Sequence, residues 1–280
     1  MRTLISGLAF VLAAPAVALT ADDIRTAQYT NGTLPEGQSA IAVKVQVLLD
    51  RAGISPGVID GYSGGMSQSA LRGFESREGF EIDGLLDPAV WSALGGGDGG
   101  DVLQSYTVTQ GDLDNLSPSI PENVAKKAEM DMLGFTRVSE ALAERFHMDE
   151  DFLILLNPDA KFELGDIITV ADAGPSLEGE AARIEIRKTD RRAVVFDVSG
   201  KMLANYPVSI GSVETPSPEG SLEVNAVAMD PTYSYRPSVN FEADGVKEAL
   251  ILPPGPNGPV GSVWIDLTKP TYGLHGTDAP

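Results

Sequence analysis

Along residues 41–52 (IAVKVQVLLDRA) the apolar positions follow two periods at once. Ile41, Val45, Leu48, Leu49 and Ala52 share one helical face, while Ile41, Val43, Val45 and Val47 alternate as in a strand. A helix is expected here, with the strand pattern as its competitor. A second helix is predicted from Ser67 as N-cap, carrying Ala70, Leu71 and Phe74 on one face. A third is predicted from Asp87 as N-cap and Pro88 in the first turn, burying Val90, Trp91 and Leu94. The glycine-rich stretch GVIDGYSGG joins the first two helices as a turn.

Further on, YTVTQGD at 106–112 reads as a short strand running into a Gly-Asp turn, and GDIITVAD at 165–172 as a second strand. Between them Val138, Leu142 and Phe146, then Phe152, Leu155 and Leu156, recur at helical spacing up to Asn157-Pro158. The order is β-α-α-β. Beyond residue 182 the period is two: Ile184 and Ile186, Val194 to Phe196, Met202 to Ile210, then Leu222, Val224, Ala226 and Ala228, and finally Val263 to Ile265. Ser199-Gly200 marks a hairpin turn. This last part is expected to be all-β.

Two runs interrupt the patterning, GGGDGGD at 95–101 and ADAGPSLEGEA at 171–181. Neither can pack a core, and both read as linkers. With 280 residues, against roughly 100–150 for an ordinary domain, the chain is expected to be multidomain α+β. The expected organisation is a leader over 1–18, a three-helix bundle over 36–94, a spacer at 95–102, a βααβ unit over 103–172, a second spacer at 173–181, and a mainly-β domain over 182–280.

Composition narrows what such a chain can do. The opening MRTLISGLAFVLAAPAVA has Arg2 before an apolar run from Leu4 to Ala14 and ends on Ala16-Val17-Ala18, the small-residue pattern of a signal-peptide cleavage site. The run breaks at Pro15, short of the roughly 20 apolar residues a membrane span needs. Export to the periplasm without stable membrane insertion is therefore expected. The chain has no cysteine, so its modules must hold by packing rather than by disulfides. A formal net charge of −20 argues against nucleic acid and anionic lipid as partners, because both need a basic surface. Solubility is the plain reading of the same charge. The two histidines lie in different modules without metal-ligand spacing, and no cofactor is expected. Ser209, Ser212 and Ser217 lack a nucleophile-elbow motif. His147, late in a predicted helix, reads as a charge near a helix C-terminus. The sequence carries no signal of oligomeric state.

Three resemblances draw these patterns together. Gln46, Leu49, Gly53, Asp60-Gly61-Tyr62, Ala70-Leu71, Phe74, Asp83-Gly84 and Trp91-Ser92-Ala93-Leu94 resemble the three-helix peptidoglycan-binding module, with Glu75 where that family usually has Gln. Tyr106, Val108, Gly111-Asp112, Leu156-Asn157-Pro158, Gly165-Asp166 and Ile168 to Val170 resemble a LysM module, with a long insertion at 113–135. In the last part, TPSPEG at 215–220, DPTYSYRP at 230–237 and PPGPNGPVG at 253–261 set prolines beside aromatic and glycine residues, as in loops stiffened for a cleft or simply rigid at the surface. YPVSIG, TPSPEG, PPGPNGPVGSVWIDL and YGLHGT together make residues 182–280 similar to the catalytic domain of L,D-transpeptidases.

That last resemblance implies a β-sandwich and a cysteine acyl transfer from a tetrapeptide stem of peptidoglycan to an amine or to water. It assigns His275 as base, the backbone carbonyl of Gly276 as its orienter, and Tyr272 with Pro254, Gly255, Pro256 and Asn257 as lining of the donor groove. The family's second piece, Ser-His-Gly-Cys, is not in the sequence. A domain that stops after an apolar strand leaves an unpaired edge, so the expectation is a stretch of a longer reading frame, incomplete and inactive by itself, rather than a pseudoenzyme that only binds peptidoglycan stems and glycan. A metal-dependent wall amidase is the third reading, weakened by the missing histidine ligands.

Overall fold

The computed structural model describes residues 19–30, 32–97, 100–114, 116–211, 213, 216–237, 240 and 245–277, so the expected leader lies outside the described residues. The first helix was not anticipated: α1 (Ala21–Thr26) is begun by a reciprocal capping box between Thr20 and Asp23 and sends Ile24 fully into the core. α2 (Ala40–Arg51) starts at Ser39, whose side chain accepts from the Ala42 N–H. Every residue from Ala42 to Leu49 is buried. A helix covered on all sides has apolar residues on all sides, which is why a strand-like alternation overlies the helical one.

α3 (Gly65–Glu78) corrects the expected start at Ser67. The helix begins two residues earlier behind Gly64, which makes no side-chain cap. Ser67 is interior and 4% exposed, its hydroxyl donating to Tyr62 O at 3.2 Å and accepting from Gln46 Nε2 at 3.3 Å. α4 (Pro88–Ala93) starts as expected, Asp87 Oδ1 accepting from Val90 N at 2.8 Å with Pro88 in the first turn. Gln46 fastens the glycine turn between α2 and α3: its Oε1 accepts from Gly61 N at 2.8 Å, and its Nε2 donates to Asp60 Oδ1 at 2.7 Å. Gly61 has φ +80°, and a Cβ there would lie 2.9 Å from Val43, so the turn approaches α2 as only glycine permits.

The middle region keeps the β-α-α-β frame and adds two single turns of helix. In order come β1 (Leu103–Thr107), α5 (Gln110–Leu113), α6 (Val124–Lys127), α7 (Val138–Arg145), α8 (Glu150–Leu156) and β2 (Ile167–Ala171), with β1 and β2 antiparallel. The expected Gly111-Asp112 turn is α5 itself. Asp112 closes a capping box with Thr109 and also accepts from Tyr106 Oη at 2.7 Å and Arg145 at 2.5 Å. His147 lies just past α7 at φ 57°, off the helix rather than in its last turn.

The glycine run between these regions is not a free spacer throughout. A Cβ on Gly96 would sit 2.2 Å from the Trp91 ring, and Val102 is fully buried. One hydrophobic cluster runs from Ile24 through Leu49, Phe74 and Trp91 to Leu103, Phe152 and Val170, so the first two regions share a core. Ile59 and Met148 form a parallel bridge between them, Ile59 N donating to His147 O at 2.7 Å.

The last part is sheet-rich, as its alternation predicts. β3 (Arg183–Arg187), β4 (Arg192–Phe196) and β5 (Met202–Pro207) form an antiparallel meander, turned at Ser199-Gly200 by Asp197. β6 (Val224–Met229), β7 (Tyr233–Tyr235), β8 (Leu250–Leu252), β9 (Val263–Leu267) and β10 (Gly273–His275) make two further sheets, ordered β10-β9-β6 and β7-β8. Among the described residues, the apolar clusters that include strand residues of this part are built together with earlier regions. All six positions of β6 are exposed, so its alternation marks a strand and not a buried face. Each of the other two sheets leans on an earlier region. Tyr235 and Leu252 cluster with Val124 and Leu133. Arg192 and Asn205, both nearly fully buried, tie β4 and β5 to the turn after α2, with Arg192 Nη2 donating to Ser55 O at 2.9 Å and Ile54 bridging Asn205 in parallel.

Candidate active site

β9 and β10 set the geometry around His275. The register pairs Gly273 with Asp266, Leu274 with Ile265 and His275 with Trp264. Side chains two apart on a strand point the same way, so Gly273 and His275 present one face to the same partner. The Trp264 indole fills that face. It stacks on the His275 imidazole with centroids 5.5 Å apart and planes 11° off parallel, and a Cβ on Gly273 would lie 2.4 Å from the indole ring.

His275 Nδ1 is 2.6 Å from Gly276 O. A carbonyl oxygen only accepts, so Nδ1 carries a proton, and in the neutral ring the basic lone pair is then on Nε2. Gly276 is held in turn, its N–H donating to Val260 O at 3.1 Å. Gly261, at φ +60°, passes so close that an added Cβ would sit 3.0 Å from Gly276 Cα. The end of the 253–261 loop therefore braces the carbonyl that orients the imidazole. Tyr272 stands just before β10, its hydroxyl donating to Pro216 O at 3.4 Å and Lys269 Nζ lying 4.4 Å from its ring centre.

The other half of that loop does something different. Leu133 N donates to Pro254 O at 2.8 Å, and Gly255, at φ +144°, lies so close to the Leu133 carbonyl that a Cβ would clash with it. Asn257 Nδ2 donates to Gly134 O at 3.0 Å and Glu140 Oε1 at 2.8 Å. Burial pushes the Glu140 carboxyl up, but the bonds from Asn257 and Thr136, with Arg137 nearby, hold it below the usual carboxylate range. Of the residues singled out in sequence, His275 and Gly276 thus meet directly and Tyr272 adjoins them. Pro254, Gly255 and Asn257 are spent on the middle region, against 113–135 and α7. Pro256 lines an open cleft of about 550 Å³ with Asp112, Phe135, Glu144, Arg145 and His147.

Sequence reasoning missed Trp264 and placed Val260 and Gly261 only within the 253–261 loop, not as the brace on Gly276. Trp264 is visible as an inward candidate in the Val263–Ile265 alternation, but only the register of the β9–β10 turn puts it opposite His275. Ser217 Oγ accepts from Gly211 N at 2.8 Å. Among the described residues no cluster of His, Cys, Asp and Glu could hold a metal ion, and no helix is long and apolar enough to cross a membrane.

Comparison with known proteins adds two matches. Residues 181–280 match the family described as L,D-transpeptidase catalytic domain, and residues 39–94 the family described as "Putative peptidoglycan binding domain". Two curated relatives are each called "Putative L,D-transpeptidase YkuD". The one from Bacillus licheniformis is 28% identical over 80 residues, 29% of this chain and 33% of its own length. The one from Bacillus subtilis is 22% identical over 89 residues, 32% of this chain and 39% of its own length. The chain thus spans between a third and two fifths of these relatives. An L,D-transpeptidase catalytic domain and a peptidoglycan-binding domain are both present in it, with His275 and its indole partner inside the first.

Proposed function

We propose that this chain is the wall-anchoring and base-bearing part of an exported L,D-transpeptidase, acting on peptidoglycan in the periplasm by cysteine acyl transfer. The observation that carries the reading is the imidazole of His275, fixed by Gly276 O at 2.6 Å with Nε2 left basic, within the region that matches the catalytic family. In such a transfer a thiol gives its proton to the base. The thiolate attacks the carbonyl of a stem peptide and expels the terminal amino acid, and the acyl group passes to an amine or to water. His275 Nε2 would take and return the proton, and Gly276 O would stabilise the imidazolium that forms. Tyr272, beside β10, would line the donor side. The 280 residues contain no cysteine, so this stretch supplies the base and its orienter but not the nucleophile.

The peptidoglycan-binding match at 39–94 supports wall attachment, and the βααβ frame with its Asp112 cap is compatible with a second, LysM-like attachment. Two attachments to one polymer raise the effective concentration of stems near His275. The apolar opening at 1–18 supports export.

The test has two arms. The purified protein is expected to sediment with isolated sacculi, and loss of that co-sedimentation would remove the wall-binding half of the reading. The same protein incubated with tetrapeptide stems is expected to release no D-alanine. Release would overturn the assignment of a cysteine nucleophile. The absence of any cysteine also favours a second reading, a peptidoglycan-binding protein without catalysis.

A further inference from the structure

We propose that Trp264 is the positioning residue for His275: its indole is the platform that keeps the imidazole in the Nδ1–H tautomer against Gly276, and Gly273 is glycine so that the platform can lie flat. The inference rests on the reading of His275 as base.

Three observations carry it. The two rings are nearly parallel, 11° apart, with centroids at 5.5 Å, within the range of offset stacking. They come from directly opposed positions of β9 and β10, so the backbone ladder and not a flexible loop sets their spacing. And the indole extends over Gly273, where a Cβ would meet ring carbons at 2.4 to 2.8 Å. Gly273 is not at positive φ. Its lack of a side chain is therefore a demand for space made by the tryptophan, not by the backbone.

His275 is otherwise exposed at the surface, where an imidazole held by one hydrogen bond can rotate about χ1 and χ2 and exchange tautomers. Free histidine favours the Nε2–H form, which would leave the wrong nitrogen basic for taking a thiol proton. A flat surface beneath the ring removes the rotations that break the Nδ1–H bond to Gly276 O, so the stack selects the tautomer through orientation. The indole touches the base and not the substrate.

The test reads the tautomer and needs no turnover. The 280-residue chain, labelled with 15N, gives two imidazole spin systems, assigned with a His147→Gln variant. At alkaline pH His275 is expected to show a single pattern, Nδ1 protonated and Nε2 of the bare-nitrogen type. Trp264→Leu should shift it toward the mixed pattern of free histidine, and Trp264→Phe should restore most of the wild-type pattern by keeping a flat ring. Gly273→Ala retains the indole but denies it the space, and should reproduce the Trp264→Leu spectrum while the amide spectrum stays folded. An unchanged Nδ1–H pattern in both Trp264→Leu and Gly273→Ala would overturn the proposal, as would a loss in Trp264→Phe equal to that in Trp264→Leu. Failure of sacculus binding or an unexpected D-alanine release bears on the proposed function alone and leaves these spectra untouched.

Discussion

Glu75 is a carboxylate with no exposure, both oxygens facing the Gly84 N–H at 2.9 and 3.2 Å. Burial pushes its carboxyl up, the Gly84 N–H draws it down, Asp83 adds a further push, and the balance stands above the usual carboxylate range. A raised folded value means that the folded state binds the proton more tightly than the unfolded chain does. Stability from this group is present below its unfolded value near 4.5 and lost as pH rises through the folded one. Glu75→Gln keeps an acceptor for Gly84 and removes the buried charge. It should raise the urea midpoint at pH 7, by about 0.5–2 kcal/mol in stability, and make no difference at pH 4 or below. An equal or lower midpoint at pH 7 would show that the charged form is better compensated than this geometry implies. Glu75 is also where the legibility of single residues divides. Its departure from the usual Gln is plain in the sequence, but its burial is not. Asp87 could be read as an N-cap because a cap bonds only to its own next turn, whereas Ser67 could not be excluded as one because its hydroxyl is used by Gln46 and Tyr62, 21 and 5 residues away.

Between elements, the contact of α2 with the turn after α7 has a similar logic and the opposite sign of charge. His147 Nδ1 lies 2.7 Å from Asp50 Oδ2, with the Asp50 side chain 7% exposed and that of His147 53% exposed. The bond to Asp50 raises the imidazole above its ordinary value, burial lowers it somewhat, and the charges of Asp50 and Glu144 raise it further. The stabilisation is therefore full below the unfolded value of 6.5 and disappears as pH rises through the elevated folded value. His147→Gln should cost about 1 kcal/mol or less at pH 5.5, a half-exposed pair being screened by water, and nothing at pH 9. Paired thermal melts at the two pH values measure this, and a cost that persists at pH 9 would assign His147 a role other than charge. Nothing in the sequence couples Asp50 to His147, since the pairing depends on the Ile59–Met148 bridge that brings the regions together. Strand and helix periods, by contrast, are local, and most elements could be read from them. β6 shows the limit: alternation gave the strand, while its full exposure follows from sheet neighbours that a single strand does not encode. At the site the same division holds, with His275-Gly276 evident as adjacent residues and Trp264 hidden in a register.

For the molecule as a whole, the shared core decides how the first two regions are connected. Glycine-rich spacers suggest beads on a string, but a single apolar cluster running from Ile24 to Ala171 makes the first two regions one folding unit. Burial of apolar area is what stabilises each region, and neither can keep its own share once the other unfolds. Arg51 adds a clasp, with Nε donating to Asp172 O at 2.6 Å and Nη2 to Asp101 O at 2.7 Å, so the first spacer and the end of the βααβ unit are both fastened to the end of α2. The two tryptophans allow a direct measurement. In a Trp264→Phe background Trp91 alone reports the first region, while helical ellipticity reports α1–α4 and α5–α8 together. One cooperative unit requires the two signals to coincide through a urea titration. A Trp91 transition that precedes the loss of ellipticity would mean that the first region unfolds by itself. Coincidence would mean that the first two regions move as one body, joined to β4 and β5 through Arg192 and Asn205 and to β8 and the 253–261 loop through Leu133. Arg192 makes that joint sensitive, because burial presses its guanidinium down to about 10, and among the described residues Nη1 has no hydrogen-bond partner. A motion of β4 and β5 against the turn after α2 should therefore begin at this contact.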